Sequence, residues 1–143
     1  MYRIKSVLRT GTVVLALLGL VACASAPREK EGIVIQVSDN NPATWNQALN
    51  VAENVPTHYG VPLDVEVVAF GAGLNMLKYD SEVGHRLKTA AAKGGAIKAC
   101  GVTMGKMKLT EKDLYPDASI GVVPAGVVEI MKKQKEGWYH IRP

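Results

Sequence analysis

The sequence predicts an α/β domain in which a parallel sheet of about five strands lies between two layers of helices. Short apolar runs rich in β-branched residues alternate with segments whose apolar residues recur at helical spacing. Turn residues, mainly Gly, Asn and Pro, separate the two kinds of segment along the chain. Strands that alternate with helices in this way form parallel sheets covered on both faces.

Five runs predict the strands. The first, Ile33 to Ser38, is almost continuously apolar and fits a strand buried on both faces. The third ends at Cys100, immediately before Gly101. The five predicted strands are residues 33–38, 64–70, 96–100, 119–123 and 138–142.

Four segments predict helices from capping residues and apolar spacing. The first begins at Pro42, whose fixed φ suits a first helical turn, with Asn40 or Asn41 as its cap. The last has three lysines in its final turn, where cations oppose the helix dipole, and stops at Gly137. The segment from Gly101 to Leu109 is predicted as a loop. The predicted helices start at Pro42, at Asp80 or Ser81, at Thr110 and at Ala125.

The N-terminus has the pattern of a bacterial lipoprotein signal. Three cations precede an apolar stretch, Gly11 to Ala22, that is shorter than the roughly 20 residues of a membrane-spanning helix. The run Leu20-Val21-Ala22-Cys23 is typical of a site where the cysteine is lipidated and becomes the new N-terminus. Simple cleavage after Ala24 and an uncleaved anchor are the alternatives. We therefore expect a signal peptide over 1–22, a tether over 23–32 and an α/β domain over 33–143.

Localisation and charge follow from this processing. The protein is expected in the periplasm, and Ala24 behind the lipidated cysteine favours the outer membrane of a Gram-negative host. The formal net charge of +4 includes three cations of the signal, so it falls to +1 when they are removed. No basic patch is interleaved with aromatic residues, and no nucleic-acid partner is predicted. The remaining 121 residues have the size of one domain.

Cys100 is the single free thiol that remains once the signal is removed and Cys23 is lipidated, so it has no partner for an intramolecular disulfide. Lone thiols are unusual in oxidising compartments, so this one is either a buried packing residue or a group kept for chemistry. Functional loops of an open parallel sheet gather beyond the carboxyl ends of the strands, where Cys100 is predicted to lie. Lys98, Lys106 and Lys108 are near in sequence and could lower the pKa of the thiol.

Asp39 and Asn40 follow the first strand and could line the same edge as Cys100, although turn formation and capping are sufficient to explain both. The histidines lie on separate predicted elements, so no general base is evident. Residues 71–73 contain two glycines after a strand, but they lack the further glycine and clean helix of a dinucleotide loop. No cofactor is therefore predicted.

A set of soft ligands is a further possibility. Cys100, Met104 and Met107, with Met76 from another loop, could bind Cu(I). Methionines three or four residues apart are more often a packing stripe on a helix, and no histidine joins the set locally. We therefore predict no metal, with copper binding as a lesser alternative.

From Ile33 onward the chain resembles the DsrE/DsrF-like family, in particular its small exported single-domain members. The matching stretches are Ile35–Asn40 with Pro42 and Trp45, Val65–Leu77, Ala99–Gly101 with Thr103 and Met104, and Val123–Met131 continuing to Gly137-Trp138.

This resemblance implies a three-layer fold and a possible sulfur-relay function. Better-studied relatives carry a persulfide on a cysteine at this kind of strand-end position, which maps onto Cys100. The resemblance implies that Asn75, Thr103 and Met104 could line the site, and that the chain forms a homo-oligomer. The segment after Cys100 departs from the relay proteins, so neither the sulfur donor nor the acceptor carries over. A non-catalytic periplasmic binding or structural oligomer is the alternative function.

Overall fold

The computed structural model describes residues 31–60 and 62–143 of the chain. The predicted signal peptide, its lipidation site Cys23 and most of the tether lie outside these residues. The described residues form a parallel five-stranded sheet with helices on both faces, which confirms the predicted fold class. No helix in the described part of the chain is long and apolar enough to cross a bilayer.

The strands pair in the order β4-β3-β2-β1-β5, and every neighbouring pair is parallel. β1 lies inside the sheet, and its residues Ile33, Val34, Ile35 and Val37 are at most 1% exposed. This burial on both faces explains why the run is apolar without alternation. The strands are β1 Gly32–Val37, β2 Asp64–Ala69, β3 Ala96–Cys100, β4 Gly121–Val123 and β5 Tyr139–Ile141.

Helices connect these strands. Asn41 caps the first helix, because its side-chain oxygen accepts a hydrogen bond from the Ala43 N–H at 3.0 Å. The helices are α1 Pro42–His58, α2 Gly84–Ala92, α3 Gly101–Met107 and α4 Gly126–Lys135, with shorter 3-10 helices over Gly71–Leu77 and Glu111–Asp113.

Three of these helices differ from the sequence-based expectation. α2 begins at Gly84 rather than at 80 or 81, because successive turn hydrogen bonds from Ser81 to Lys78 and from Gly84 to Ser81 occupy that stretch. α3 replaces a predicted loop. The capping residues Thr110 and Asp113 do form the expected reciprocal cap, but they close a single 3-10 turn.

The two faces of the sheet are covered unequally. α1 and α2 enclose the larger core, which contains Trp45, Leu49 and Leu87. α4 covers the opposite face, where the buried cluster consists of Val34, Val68 and Ile130, with two further side chains packed against it. The layer under α4 is therefore thin, and most of the apolar burial that stabilises the domain lies on the other side of the sheet.

Candidate functional site

Cys100 is the last residue of β3, and its side chain is buried, with 5% of the residue exposed. It pairs in register with Val123, the last residue of the edge strand β4. α3 begins at the very next residue, so the backbone of Cys100 is also the N-cap of that helix. The thiol thus lies at the carboxyl edge of the sheet, where a parallel strand passes directly into a helix.

The chain leaves β3 and β4 toward opposite faces of the sheet. α3 follows β3 and contributes Met104 to the larger core, whereas α4 follows β4 and packs on the other face. Ile97 and Ala99 face the larger core, so strand alternation directs Cys100 toward the α4 side. Adjacent strands whose connections diverge in this way leave a crevice at the sheet edge, which is the usual ligand position in open α/β sheets.

Two glycines allow the elements around this edge to pack closely: Gly101 lies against β4, and Gly126 lies against the end of β2. A Cβ atom at Gly101 would lie 3.2 Å from the carbonyl oxygen of Val123. A Cβ atom at Gly126 would lie 3.1 Å from the Cβ of Phe70. Because Gly126 has no side chain, the first turn of α4 packs directly on the sheet beside Phe70 and Val68.

Opposing effects set the acidity of the thiol. Burial is the largest single influence and raises the pKa of Cys100. Hydrogen bonds to the sulfur from the Thr103 hydroxyl and from the N–H groups of Gly126, Thr103 and Val102 lower the pKa, and together they bring it below its ordinary value. The Val102 N–H also donates a hydrogen bond to the Pro124 carbonyl oxygen at 3.2 Å, so it is shared between two acceptors. The pKa of Cys100 therefore lies below that of an ordinary cysteine thiol.

The sequence suggested that Lys98, Lys106 and Lys108 could acidify the thiol. None of them is among the main influences on the pKa of Cys100, which are burial and hydrogen bonding. Lys98 instead extends over Gly121, where its Nζ atom lies 3.1 Å from the position of a Cβ. The pKa of Cys100 is thus lowered by backbone N–H groups and one hydroxyl group rather than by a nearby cation.

Thr103 connects the thiol to a second loop of the same edge. Its Oγ1 accepts a hydrogen bond from the Gly71 N–H at 3.0 Å. Gly71 has φ +55°, a left-handed conformation that glycine adopts with little cost, at the start of the 3-10 helix that follows β2. The loops after β2 and β3 therefore meet at the Thr103 hydroxyl.

The other predicted polar residues form turns and a separate cleft. Asp39 accepts a hydrogen bond from the Asn41 N–H at 3.0 Å, and its carbonyl oxygen accepts one from the Trp45 indole at 2.9 Å. The Asn75 side-chain amide donates to the Asn40 side-chain oxygen at 3.0 Å. The Asp39 contacts are the turn and capping interactions that the sequence alone also explained, whereas the bond between Asn75 and Asn40 joins two separate loops.

Asn40 and Asn75 line a shallow polar cleft of about 370 Å³ together with Lys78 and Ser81. Cys100 is not among the residues of that cleft. Of the residues proposed to line the site, the structure brings Thr103 to the thiol and places Asn40 and Asn75 in this neighbouring cleft.

Two of the three methionines in the predicted soft-ligand set are core packing residues. Met76 and Met104 belong to the larger core, with 0% and 6% exposed, while Met107 is 37% exposed. Because Cys100 faces the opposite side of the sheet, this arrangement does not form an open set of soft ligands. Across residues 31–60 and 62–143, no group of three or more His, Cys, Asp or Glu side chains is placed to hold a metal ion.

Sequence reasoning missed Gly71 and Gly126 as contributors to the site. Both act through backbone N–H groups, and their roles depend on loops that come together only in the folded chain. The one available signal was the position of Gly126, which directly follows a predicted strand in the run Val123-Pro124-Ala125-Gly126. A glycine there is consistent with a close approach of helix and sheet.

Comparisons with known proteins agree with this architecture. The DsrE/DsrF-like family model matches residues 30–143, so the chain belongs to that family. The particular function is not fixed by any curated relative, because no curated protein matches the sequence significantly.

Solved structures with the same fold include three proteins from different organisms. MTH1491 of Methanobacterium thermoautotrophicum, a protein of unknown function, is 26% identical, with a TM-score of 0.74 over 80% of this chain and 100% of that chain. BT1422 of Bacteroides thetaiotaomicron, also of unknown function, is 16% identical, with a TM-score of 0.64 over 78% and 94%. The ychN protein of E. coli is 10% identical, with a TM-score of 0.58 over 78% and 98%. The latter two similarities concern the fold alone.

Proposed function

We propose that the protein is a sulfur carrier that holds a sulfane sulfur as a persulfide on Cys100. The observation that carries this proposal is the setting of the thiol. Hydrogen-bond donors from the first turns of α3 and α4 lower the pKa of a cysteine at a strand end, within a family that includes sulfur-relay proteins. A cysteine kept only for packing gains nothing from such donors, because they favour the charged form.

Loading is a nucleophilic displacement. The Cys100 thiolate attacks the sulfane sulfur of a polysulfide or thiosulfate, and a new S–S bond forms as the donor's S–S bond breaks. The departing group, a shorter polysulfide or sulfite, takes the bonding electron pair. No external oxidant is required, because the transferred sulfur is already at the sulfane level in the donor.

Unloading reverses the roles of the same atoms. An acceptor thiolate attacks the outer sulfur of the persulfide, and Cys100 leaves as a thiolate with the electron pair. A thiol of lower pKa is a better leaving group, so the donors around the sulfur assist this step as well. A carrier needs both steps, and one hydrogen-bonded site supports each of them.

The proposal is tested by intact mass after the purified domain, residues 24–143 without the Cys23 thiol, is incubated with polysulfide. We expect a gain of one sulfur atom that dithiothreitol reverses and that a Cys100→Ser variant does not show. Alkylation after denaturation provides a control for the amount of free Cys100 in each sample. An unmodified thiol in the folded protein, with full modification only after unfolding, would refute sulfur carriage.

We also propose that the chain is exported and anchored through a lipid on Cys23. The support is the signal pattern of residues 1–23, since the described residues begin beyond it. Expression of the full chain in a Gram-negative host with labelled palmitate is expected to label the wild type in the membrane fraction. A Cys23→Ser variant is expected to remain unlabelled. Equal labelling of both proteins would contradict the assignment.

We also propose that the chain forms a homo-oligomer. Its support is the outer face of α4, where Val127, Val128 and Met131 are 51%, 54% and 62% exposed. Three large apolar side chains on one short helix form the kind of patch that proteins usually cover in an assembly. The same observation favours the alternative function, a non-catalytic structural or binding oligomer, and Cys100→Ser separates the two. In the alternative, that variant keeps both the assembly and the cellular phenotype.

A further inference from the structure

We infer that Lys98 is a specificity residue of the Cys100 site: it binds the negatively charged end of the sulfur donor and so selects anionic donors such as thiosulfate or polysulfide. This inference rests on the proposed function, because it names the class of donor that the proposed carrier accepts. The ammonium group of Lys98 lies on the same face of the sheet as the thiol, and its role can be tested with reagents that carry no sulfur.

Lys98 and Cys100 share one face of β3. Ile97 and Ala99, which alternate with them along the strand, belong to the larger core on the opposite side. Lys98 also pairs in register with Val68, a member of the cluster under α4. Two residues of a strand span about 6.6 Å, so the lysine is the next side chain after the cysteine on the α4 side of β3.

The part of β3 and β4 around Lys98 remains accessible. The sheet residues in the buried cluster under α4, Val34 and Val68, come from β1 and β2. Lys98 and its register partner on β4, Gly121, are both partly exposed. Because β4 is an edge strand, the strip formed by β3 and β4 opens to solvent beside the thiol.

Gly121 leaves room for the lysine side chain. The Nζ atom of Lys98 is 3.1 Å, and its Cδ atom 3.4 Å, from the position that a Cβ would occupy on Gly121. The lysine side chain therefore lies across the edge strand in space that a larger residue at position 121 would fill. Val123, two residues further along β4, pairs in register with Cys100. The ammonium group and the thiol thus adjoin the same short strand.

The ammonium group of Lys98 forms no ion pair within the described part of the chain. Glu66 lies on the neighbouring strand, but its carboxylate pairs with Lys133 of α4 at 3.8 Å. A cation without a counter-ion, on the sheet face that holds the thiol, is available to an anionic ligand.

The spacing suits a donor that reacts end-on at Cys100. A nucleophile approaches the reacting atom to about 3–3.5 Å, and an S–S bond adds about 2 Å. The leaving end of thiosulfate thus lies about 5.5 Å from the Cys100 sulfur, which is comparable with two residues of β3. As the new S–S bond forms and the donor's S–S bond breaks, sulfite leaves with the electron pair. A cation at that end stabilises the charge that the leaving group gains.

The test compares the alkylation of Cys100 by iodoacetate and by iodoacetamide in the purified domain, residues 24–143. The two reagents have nearly the same size and differ in charge. Both react with the same thiolate, so the ratio of their rates is insensitive to changes in the pKa of the thiol. Lys98→Met removes the charge at similar length, and Lys98→Arg keeps it. Lys88→Met is the matched control, because it removes an equal charge from α2 on the other side of the sheet.

We expect the ratio of the iodoacetate rate to the iodoacetamide rate to fall about fivefold in Lys98→Met at low salt, the effect of removing one charge at this range from a partly hydrated site. The ratios for Lys98→Arg and Lys88→Met should stay within about twofold of the wild-type ratio. About 1 M salt should bring the wild-type ratio toward that of Lys98→Met, because the Debye length falls to about 3 Å.

Equal ratios in the wild type and Lys98→Met would overturn the inference. A folded protein in which neither reagent reaches Cys100 would also overturn it, since that site would be closed to a donor of similar size. If circular dichroism shows that Lys98→Met does not fold, Lys98→Gln supplies the same loss of charge. Polysulfide loading with equal ratios would refute the role of Lys98 and leave sulfur carriage intact, whereas a ratio that depends on Lys98 without any loading would refute carriage alone.

Discussion

The Glu66 carboxylate on β2 and the Lys133 ammonium on α4 form an ion pair at 3.8 Å beneath the thinner layer of the domain. Their side chains are 5% and 18% exposed, and Oε1 of Glu66 has no hydrogen-bond partner within the described chain. Lys133 also lies 4.1 Å from the centre of the Trp138 ring. α4 is therefore held at its C-terminal end by a charge that is only partly compensated.

Burial raises the pKa of Glu66, although Lys133 opposes the shift. The folded protein then binds more protons than the unfolded chain between the ordinary value of 4.5 and the higher folded value. The contribution of Glu66 to stability is thus present at low pH and is lost as pH rises through that window. In urea unfolding, the stability of wild type relative to Glu66→Gln should fall as the pH rises above the ordinary value of 4.5. Parallel pH profiles for the two proteins would contradict this expectation.

Removal of Lys133 leaves the buried carboxylate without its counter-charge. We expect Lys133→Met to lose about 3 kcal/mol of unfolding free energy at pH 8, and less at pH 5, where Glu66 takes up a proton more readily. Lys132→Met is the matched control, because Lys132 is 61% exposed and its pairing with Glu129 is a surface interaction. That variant should change stability by no more than about 0.5 kcal/mol. Equal losses in the two variants would exclude a special role for the buried pair.

The sheet was predictable because its strands are short apolar runs with clear boundaries. β3 lies where it was expected, between Gly94-Gly95 and Gly101, and it places Cys100 at the carboxyl edge. α3 was not predictable, because it starts at Gly101 without a polar cap and contains a second glycine at Gly105. Its helical form depends on tertiary contacts, including burial of Met104 in the larger core.

The candidate site was only partly predictable for a related reason. A strand-end cysteine is visible in the sequence, and so is a nearby threonine. The donors that acidify the thiol belong to Thr103 on α3 and to Gly126 on α4, and no local pattern shows that they meet. The lysines suggested by sequence proximity are not the cause, since the influences on a buried thiol are set by folded geometry.

Two glycines on neighbouring elements should respond oppositely to alanine. A Cβ at Gly73 would clash with the backbone carbonyl of Val37, which cannot move without disturbing β1. We expect Gly73→Ala to cost about 1–3 kcal/mol in chemical denaturation. Gly105 lies within α3 with open space around its Cβ position, so Gly105→Ala should stabilise the protein by about 0.5–1 kcal/mol. A destabilised Gly105→Ala variant would show that α3 packs more tightly than described.

The proposed oligomer predicts a defined response to charge on α4. Met131→Glu introduces a carboxylate into the exposed apolar face of the helix, and sedimentation should show smaller assemblies than for the wild type. Tyr79→Glu is the matched control, because Tyr79 is 65% exposed on another part of the surface. Its assembly state should be unchanged. A wild-type protein that is monomeric at every concentration would contradict the proposal.

The most direct test of the central claim is single-turnover transfer from the loaded protein. The domain is loaded with polysulfide, freed of excess reagent, mixed with an acceptor thiol such as glutathione, and followed by intact mass. We predict that the added sulfur atom is lost from Cys100 as glutathione persulfide forms in equal amount. A protein that never gains the sulfur, or that gains it equally as a Cys100→Ser variant, would contradict the assignment of Cys100 as a sulfur carrier.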